Sequence, residues 1–217
     1  MDKIQLLVMA AIAIFVFVRL FRELGSKTGN EEEVAQEWKA NKTREEKVET
    51  DPKTRRNEDR VEINESAQGG LQALRDVEPS FLAYDFIKGA QYAFEMIIDA
   101  FSKGDDQPLQ DLLARDVYKN FKQSIDQRKE RGEEMQTVLV GFKQREITAV
   151  SVDEGMAFIT VRFVTEQSFE LKDSAGTIID SSHGQVEDVV DIWTFARKLN
   201  DNNPNWTLVK TETEELA

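Results

Sequence analysis

The chain of 217 residues contains no cysteine and a single histidine. The first absence excludes disulfides and thiolate-ligated metals. The second leaves His183 without a histidine partner, and a Ser182–His183 nucleophile in a loop is not expected. Neither G-x-x-x-x-G-K-[ST] nor H-E-x-x-H occurs, so no phosphate-cradling loop or zinc-hydrolase helix is encoded. Basic charge is also scarce: 28 Lys and Arg stand against 41 Asp and Glu, a net charge of −13. That sign argues against a nucleic-acid binder, which needs a clustered basic surface against phosphates. Nothing in the composition calls for a metal or an organic cofactor.

What is present falls into three parts. Residues 4–18, IQLLVMAAIAIFVFV, are an apolar run broken only by Gln5. The run alone covers about 22 Å, short of a hydrocarbon core of about 30 Å, but extension to Leu24 with Arg19 and Arg22 snorkelling to the headgroups suffices. The competing reading is a cleaved signal peptide, which wants small residues after the core; VRLFRELGSKTG places two arginines there instead. Residues 1–28 are therefore expected to be an uncleaved anchor. Arg19, Arg22 and Lys27 follow the span while Lys3 precedes it, which puts the C-terminal bulk on the cytoplasmic side of a bacterial inner membrane. Residues 29–76 are dense in charge and hold few large apolar side chains, so they read as a flexible tether, or as a tether with a partner-docking helix around Trp38.

From residue 77 to residue 217 the pattern is that of a domain. Ile87, Ala90, Phe94, Ile97, Ile98 and Phe101 recur at helical spacing, with Ser80 or Asp85 as N-cap and Gly104 as a stop. PLQDLLA predicts a short helix, and Val117, Tyr118, Phe121 and Ile125 a third, from Asp116 to Gly132. After Gly132 the period becomes two: TVLVGF, REITAVSV, MAFITVRFV, DVVDIWTFARKL and WTLVKT read as strands, divided by DEG, DSAG and NDNNPN. Three helices followed by an antiparallel meander predict an α+β fold with the helices on one face of a curved sheet. The domain is expected to fold on its own from Pro79 onward.

Trp193 and Phe195 alternate on one strand and Trp206 starts the next, so the two tryptophans are expected to meet across a hairpin. They serve either as core or as part of an apolar binding face. That face is expected from Phe94, Ile98, Phe121, Phe163, Trp193, Phe195 and Trp206. An enzymatic alternative would draw on Asp191, Asp99, Tyr92 and Tyr118, the residue types an isomerase needs in an apolar cone; Asp191 has the plain alternative of facing outward on its strand.

The patterns GDxxxLxxLL at residues 104–113, DVYxxFxxxI at 116–125 and WTFxRxxxxxNPNWxLV at 193–209 together resemble the C-terminal domain of the Tim44 family, the mitochondrial import-motor anchors. With the N-terminal span, the chain is most similar to that family's single-span alphaproteobacterial relatives, the TimA-like adaptor proteins. The resemblance covers about residues 79–213 plus the anchor. It implies a cystatin-like or nuclear-transport-factor-two-like cone and a non-enzymatic scaffold at the inner membrane, in protein translocation, membrane-protein assembly or quality control. The implied partners are a protein at the membrane, such as a chaperone or translocase component, and membrane lipid. A sensor of lipid or of a small apolar ligand is the alternative, and an isomerase-like enzyme a third reading. The chain departs from the mitochondrial pattern in having a span where that member is peripheral.

Overall fold

Two glycines and one two-residue turn set the frame. In the computed structural model, which describes residues 61–199, 201 and 203–214, Gly104 and Gly132 both adopt φ +66°, the left-handed conformation that ends a helix without a side-chain clash. Gly104 closes α2 (Ala83–Lys103) and Gly132 closes α4 (Arg115–Arg131). Glu154 and Gly155, at φ +47° and +78°, make the tight reversal between β2 (Glu134–Asp153) and β3 (Met156–Lys172). The remaining elements are β1 (Glu62–Ile63), a 3-10 turn (Glu65–Ala67), α1 (Gln68–Val77), α3 (Asp106–Leu112), β4 (Ile178–Ser181), β5 (Glu187–Lys198) and β6 (Thr207–Glu214).

Among the described residues the fold is mixed α+β, with four α-helices and one sheet of six strands. Strand order is β1-β2-β3-β5-β6, and β4 pairs with β3 beyond the end of β5. Every pairing is antiparallel except β1 with β2, which is parallel at Glu62–Glu146 and Ile63–Ile147. β3 alternates strictly, its odd-numbered residues from Ala157 to Leu171 buried against the helices. On α2, Phe86, Ile87, Ala90, Phe94, Ile97 and Phe101 form the buried stripe that packs on that face. Phe94 sits at its centre, with ring centroids at 4.4 Å from Trp193, 4.9 Å from Phe163 and 5.5 Å from Phe142.

The structure differs from the sequence reading at five places. TVLVGF and REITAVSV are one 20-residue strand, β2, because register shifts near Gly141, Gln144 and Ala149 bend the strand without ending it. β4 has no counterpart among the expected strands. Leu82 rather than Ser80 or Asp85 holds the N-cap position of α2, and Asp85 lies in its first turn. The stretch read as the end of the tether is part of the fold from Val61: β1 joins the sheet, and α1 buries Leu71 and Leu74 almost completely. Asn64 starts this segment by accepting a hydrogen bond from the Ser66 N–H at 3.1 Å, and the Ser66 hydroxyl donates to Thr148 O at 3.0 Å. A folded unit starting at Pro79 would omit a helix whose apolar side chains belong to the core.

The fifth difference concerns the tryptophans, which are not neighbours. The β5–β6 register sets Trp193 opposite Thr211 and Ala196 opposite Thr207. Trp206, just before β6, packs instead on Phe81 and Phe86, with the Arg197 guanidinium 5.0 Å over its ring. The expected anchor over residues 4–24 and the docking helix around Trp38 lie outside the described residues. No helix among the described residues is long and apolar enough to cross a membrane.

Candidate functional site

Between α2, α4 and the sheet lies an open cavity of about 170 Å³. α2 contributes Ile98 and Phe101, α4 contributes Phe121 and Arg128, and β2 contributes Met135 and Thr137. The opposite wall is Gln167, Phe169 and Leu171 of β3 and Val189, Asp191 and Trp193 of β5, with Thr211 and Thr213 of β6 at one side. The Ser102 hydroxyl pins the helix to the strand beside it, donating to Met135 O at 3.1 Å and accepting from the Thr137 N–H at 2.9 Å. The lining is mostly apolar, with a few polar groups aimed inward, the usual composition of a ligand or segment site.

Two of those polar groups are electrostatically unusual. Arg128 is only 8% exposed; it donates a hydrogen bond to Phe101 O and lays its guanidinium 4.6 Å over the Phe101 ring. Burial lowers its pKa to about 10 from the ordinary arginine value, Glu133 opposing the shift. Asp191 stands on the inward face of β5. Burial pushes its carboxyl up to about 7, against hydrogen bonds from the Thr213 hydroxyl at 3.3 Å and from the Trp193 side chain, which favour the charged form. Glu187, two turns of the pleat away, is likewise raised by burial and lowered by His183.

The seven residues expected to form an apolar face separate into three groups. Ile98, Phe121 and Trp193 line the cavity. Phe94, Phe163 and Phe195 lie behind it as closed core, and Trp206 belongs to the distant cluster with Phe81 and Phe86. The candidate catalytic residues do not converge. Asp99 is exposed and paired with Lys103 at 2.8 Å, Tyr92 is 64% exposed, and the Tyr118 hydroxyl accepts from Gln110 at 3.1 Å. Only Asp191 of that set faces the cavity, inward rather than outward. Phe169 and Leu171 were missed because β3 continues well past Val164, through SFELK, where apolar and polar residues still alternate. Arg128 was missed because QRKERGEE has the composition of a solvated helix end. Among the described residues no group of three or more His, Cys, Asp or Glu could hold a metal ion.

Asp191 makes stability depend on pH in a defined direction. Its folded pKa of about 7 exceeds the ordinary aspartate value of 3.8, so the native state binds the proton more tightly than the unfolded chain. The resulting stabilisation is complete below about pH 4 and is lost as pH rises towards about 7. Asp191→Asn keeps the shape and removes the charge. It is expected to raise stability at pH 8 by about 1–3 kcal/mol and to flatten the profile between pH 4 and 7. Urea titrations at pH 5 and pH 8 measure both; an unchanged profile would show that Asp191 is solvated.

A sheet covered by helices, with an open and largely apolar cavity between the two layers, defines a domain of the mixed α+β class. The Tim44-like domain model matches residues 67–213, and the chain belongs to that family. Tim44-like domains are generally non-catalytic and bind protein partners and membranes. No curated protein matches the chain. Among solved structures, the intermembrane space region of the chloroplast protein ARC6 is similar at 13% identity, over 58% of this chain and 95% of that one, with a TM-score of 0.42. A conserved protein from Planctomyces limnophilus DSM 3776 is similar at 16% identity over the same shares, with a TM-score of 0.33.

Proposed function

We propose that this chain is a membrane-anchored, non-enzymatic adaptor. In this reading residues 1–28 hold it in the bacterial inner membrane, and the folded domain, a cystatin-like cone, works on the cytoplasmic side. There it captures a protein partner, or a hydrophobic segment of one, during translocation, membrane-protein assembly or quality control. A chaperone or a translocase component is the partner type that fits a tethered domain of this family. The observation that carries the reading is the open apolar cavity on the helix-covered face of a Tim44-like domain. The test is a photoreactive phenylalanine at Ile98 or Phe121, activated in intact cells expressing the full chain. Specific protein adducts at these positions, absent with the same label at exposed Tyr92, are expected. Adducts to lipid alone, or the same set from Tyr92, would overturn it. A C-terminal reporter that is active in the periplasm would overturn the orientation. The cavity's volume of about 170 Å³, with polar groups inside it, favours a second reading, a sensor of a small apolar ligand.

A further inference from the structure

We propose that the cavity is a binding site for a small apolar carboxylic acid, its carboxylate received by Arg128 and its body, about one aromatic ring in size, lying against Phe121, Phe169 and Trp193. This rests on and deepens the ligand-sensor reading, and the guest would occupy the same cavity that the adaptor reading gives to a protein segment.

The first support is an unanswered cation. One terminal nitrogen of Arg128 is held by Phe101 O, whereas the other, Nη1, is buried and has no hydrogen-bond partner among the described residues. Glu133 favours its charge at a distance, but no carboxylate among the described residues bonds that nitrogen. Both oxygens of Glu133 accept from Arg131, at 2.6 and 2.7 Å, and Glu212 pairs with Lys210 at 2.9 Å. A buried guanidinium without an anion is costly, and an anionic guest relieves that cost. The stacking on Phe101 and the bond to its carbonyl fix the guanidinium in advance, so little ordering remains to be done on binding.

The second support is size. A cavity of about 150 Å³ lined by apolar side chains accepts benzene, and this one measures about 170 Å³. One ring or a short branched chain fills that volume. The third is the charge of the walls. Arg128 and Arg131 line the site from α4, Glu133 from the link just before β2, Glu187 and Asp191 from β5 and Glu212 from β6. A dianion would meet too many carboxyls. A monoanion needs only one of them to carry a proton, and Asp191, at about 7, is the group placed to do so and to donate a hydrogen bond to the guest. Binding then takes up a proton, and affinity falls about tenfold between pH 6 and pH 8.

The experiment is calorimetric titration of the full-length protein in lipid nanodiscs with phenylacetate, phenethylamine and octanoate at both pH values. Phenylacetate is expected to bind, about tenfold more weakly at pH 8, and the amine not to bind. Asp191→Asn should bind phenylacetate equally at the two pH values, and Arg128→Gln should lose at least tenfold in affinity while still unfolding cooperatively. Because Arg128 also holds Phe101 O, Val189→Phe, which fills the cavity from the opposite wall, is the second variant and should abolish binding. Wild-type affinity in folded Arg128→Gln or in Val189→Phe would overturn the assignment. Binding of the amine in preference to phenylacetate would sink the acid, and binding of octanoate in preference to phenylacetate would sink the one-ring body; either would leave the ligand-sensor reading standing. Absence of binding by all three probes would sink both.

Discussion

Gly70→Ala is expected to destabilise the domain by about 3 kcal/mol, whereas Gly69→Ala, one residue earlier on the same helix, is expected to stabilise it by about 0.5–1 kcal/mol. The two glycines have opposite surroundings. A Cβ at Gly70 would lie 1.8 Å from the carbonyl oxygen of Val150, a backbone atom in a paired strand that cannot step aside. A Cβ at Gly69 would meet nothing within 4 Å, so the added methyl acts only through helix propensity. Displacing α1 from β2 also uncovers Leu71 and Leu74, which are 1% and 0% exposed. Urea midpoints of the two variants, followed by circular dichroism, check the pair. Equal midpoints would mean that α1 is not docked and that the folded unit begins after it.

Phe94→Ala is expected to cost about 3–5 kcal/mol, the larger of the two effects, because the ring is completely buried and touches three other aromatic rings that cannot all collapse into the space it leaves. Phe142, Phe163 and Trp193 come from three different strands, so relaxation of one opens a gap beside another. The measurement is the same unfolding curve. A loss below about 1 kcal/mol would show that the cluster is loosely packed and that the cavity extends into it.

The parts of the fold written in local pattern were legible. The α2 stripe repeats over 21 residues, two glycines stop helices where a left-handed residue is needed, and β3 alternates without a break. α1 was not legible, since QGGLQALRDV has two glycines and only two large apolar residues in its interior, and isolated it would be a poor helix. Docking against β2 makes it one, and docking is not a property of its own ten residues. The same holds for the cavity. Ile98, Phe121 and Trp193 were read as inward-facing from their periods, but whether such residues border a void or fill it depends on distances between elements. Arg128 shows the limit most clearly: a basic residue in a charged helix end turns inward because Phe101, 27 residues away, offers both a carbonyl and a ring.

The parallel pairing of β1 with β2 also has a mechanical consequence. Load arriving from the N-terminal side of Val61 reaches a strand of two residues first and α1 next, before any of the long antiparallel pairs. Parallel pairing at Glu62 and Ile63, the Asn64 N–H bonded to Ile147 O at 2.8 Å, and the seating of Gly70 on Val150 are therefore the first bonds to carry tension. Their release would bare one edge of β2 and the apolar side of a helix while the rest of the sheet stayed closed.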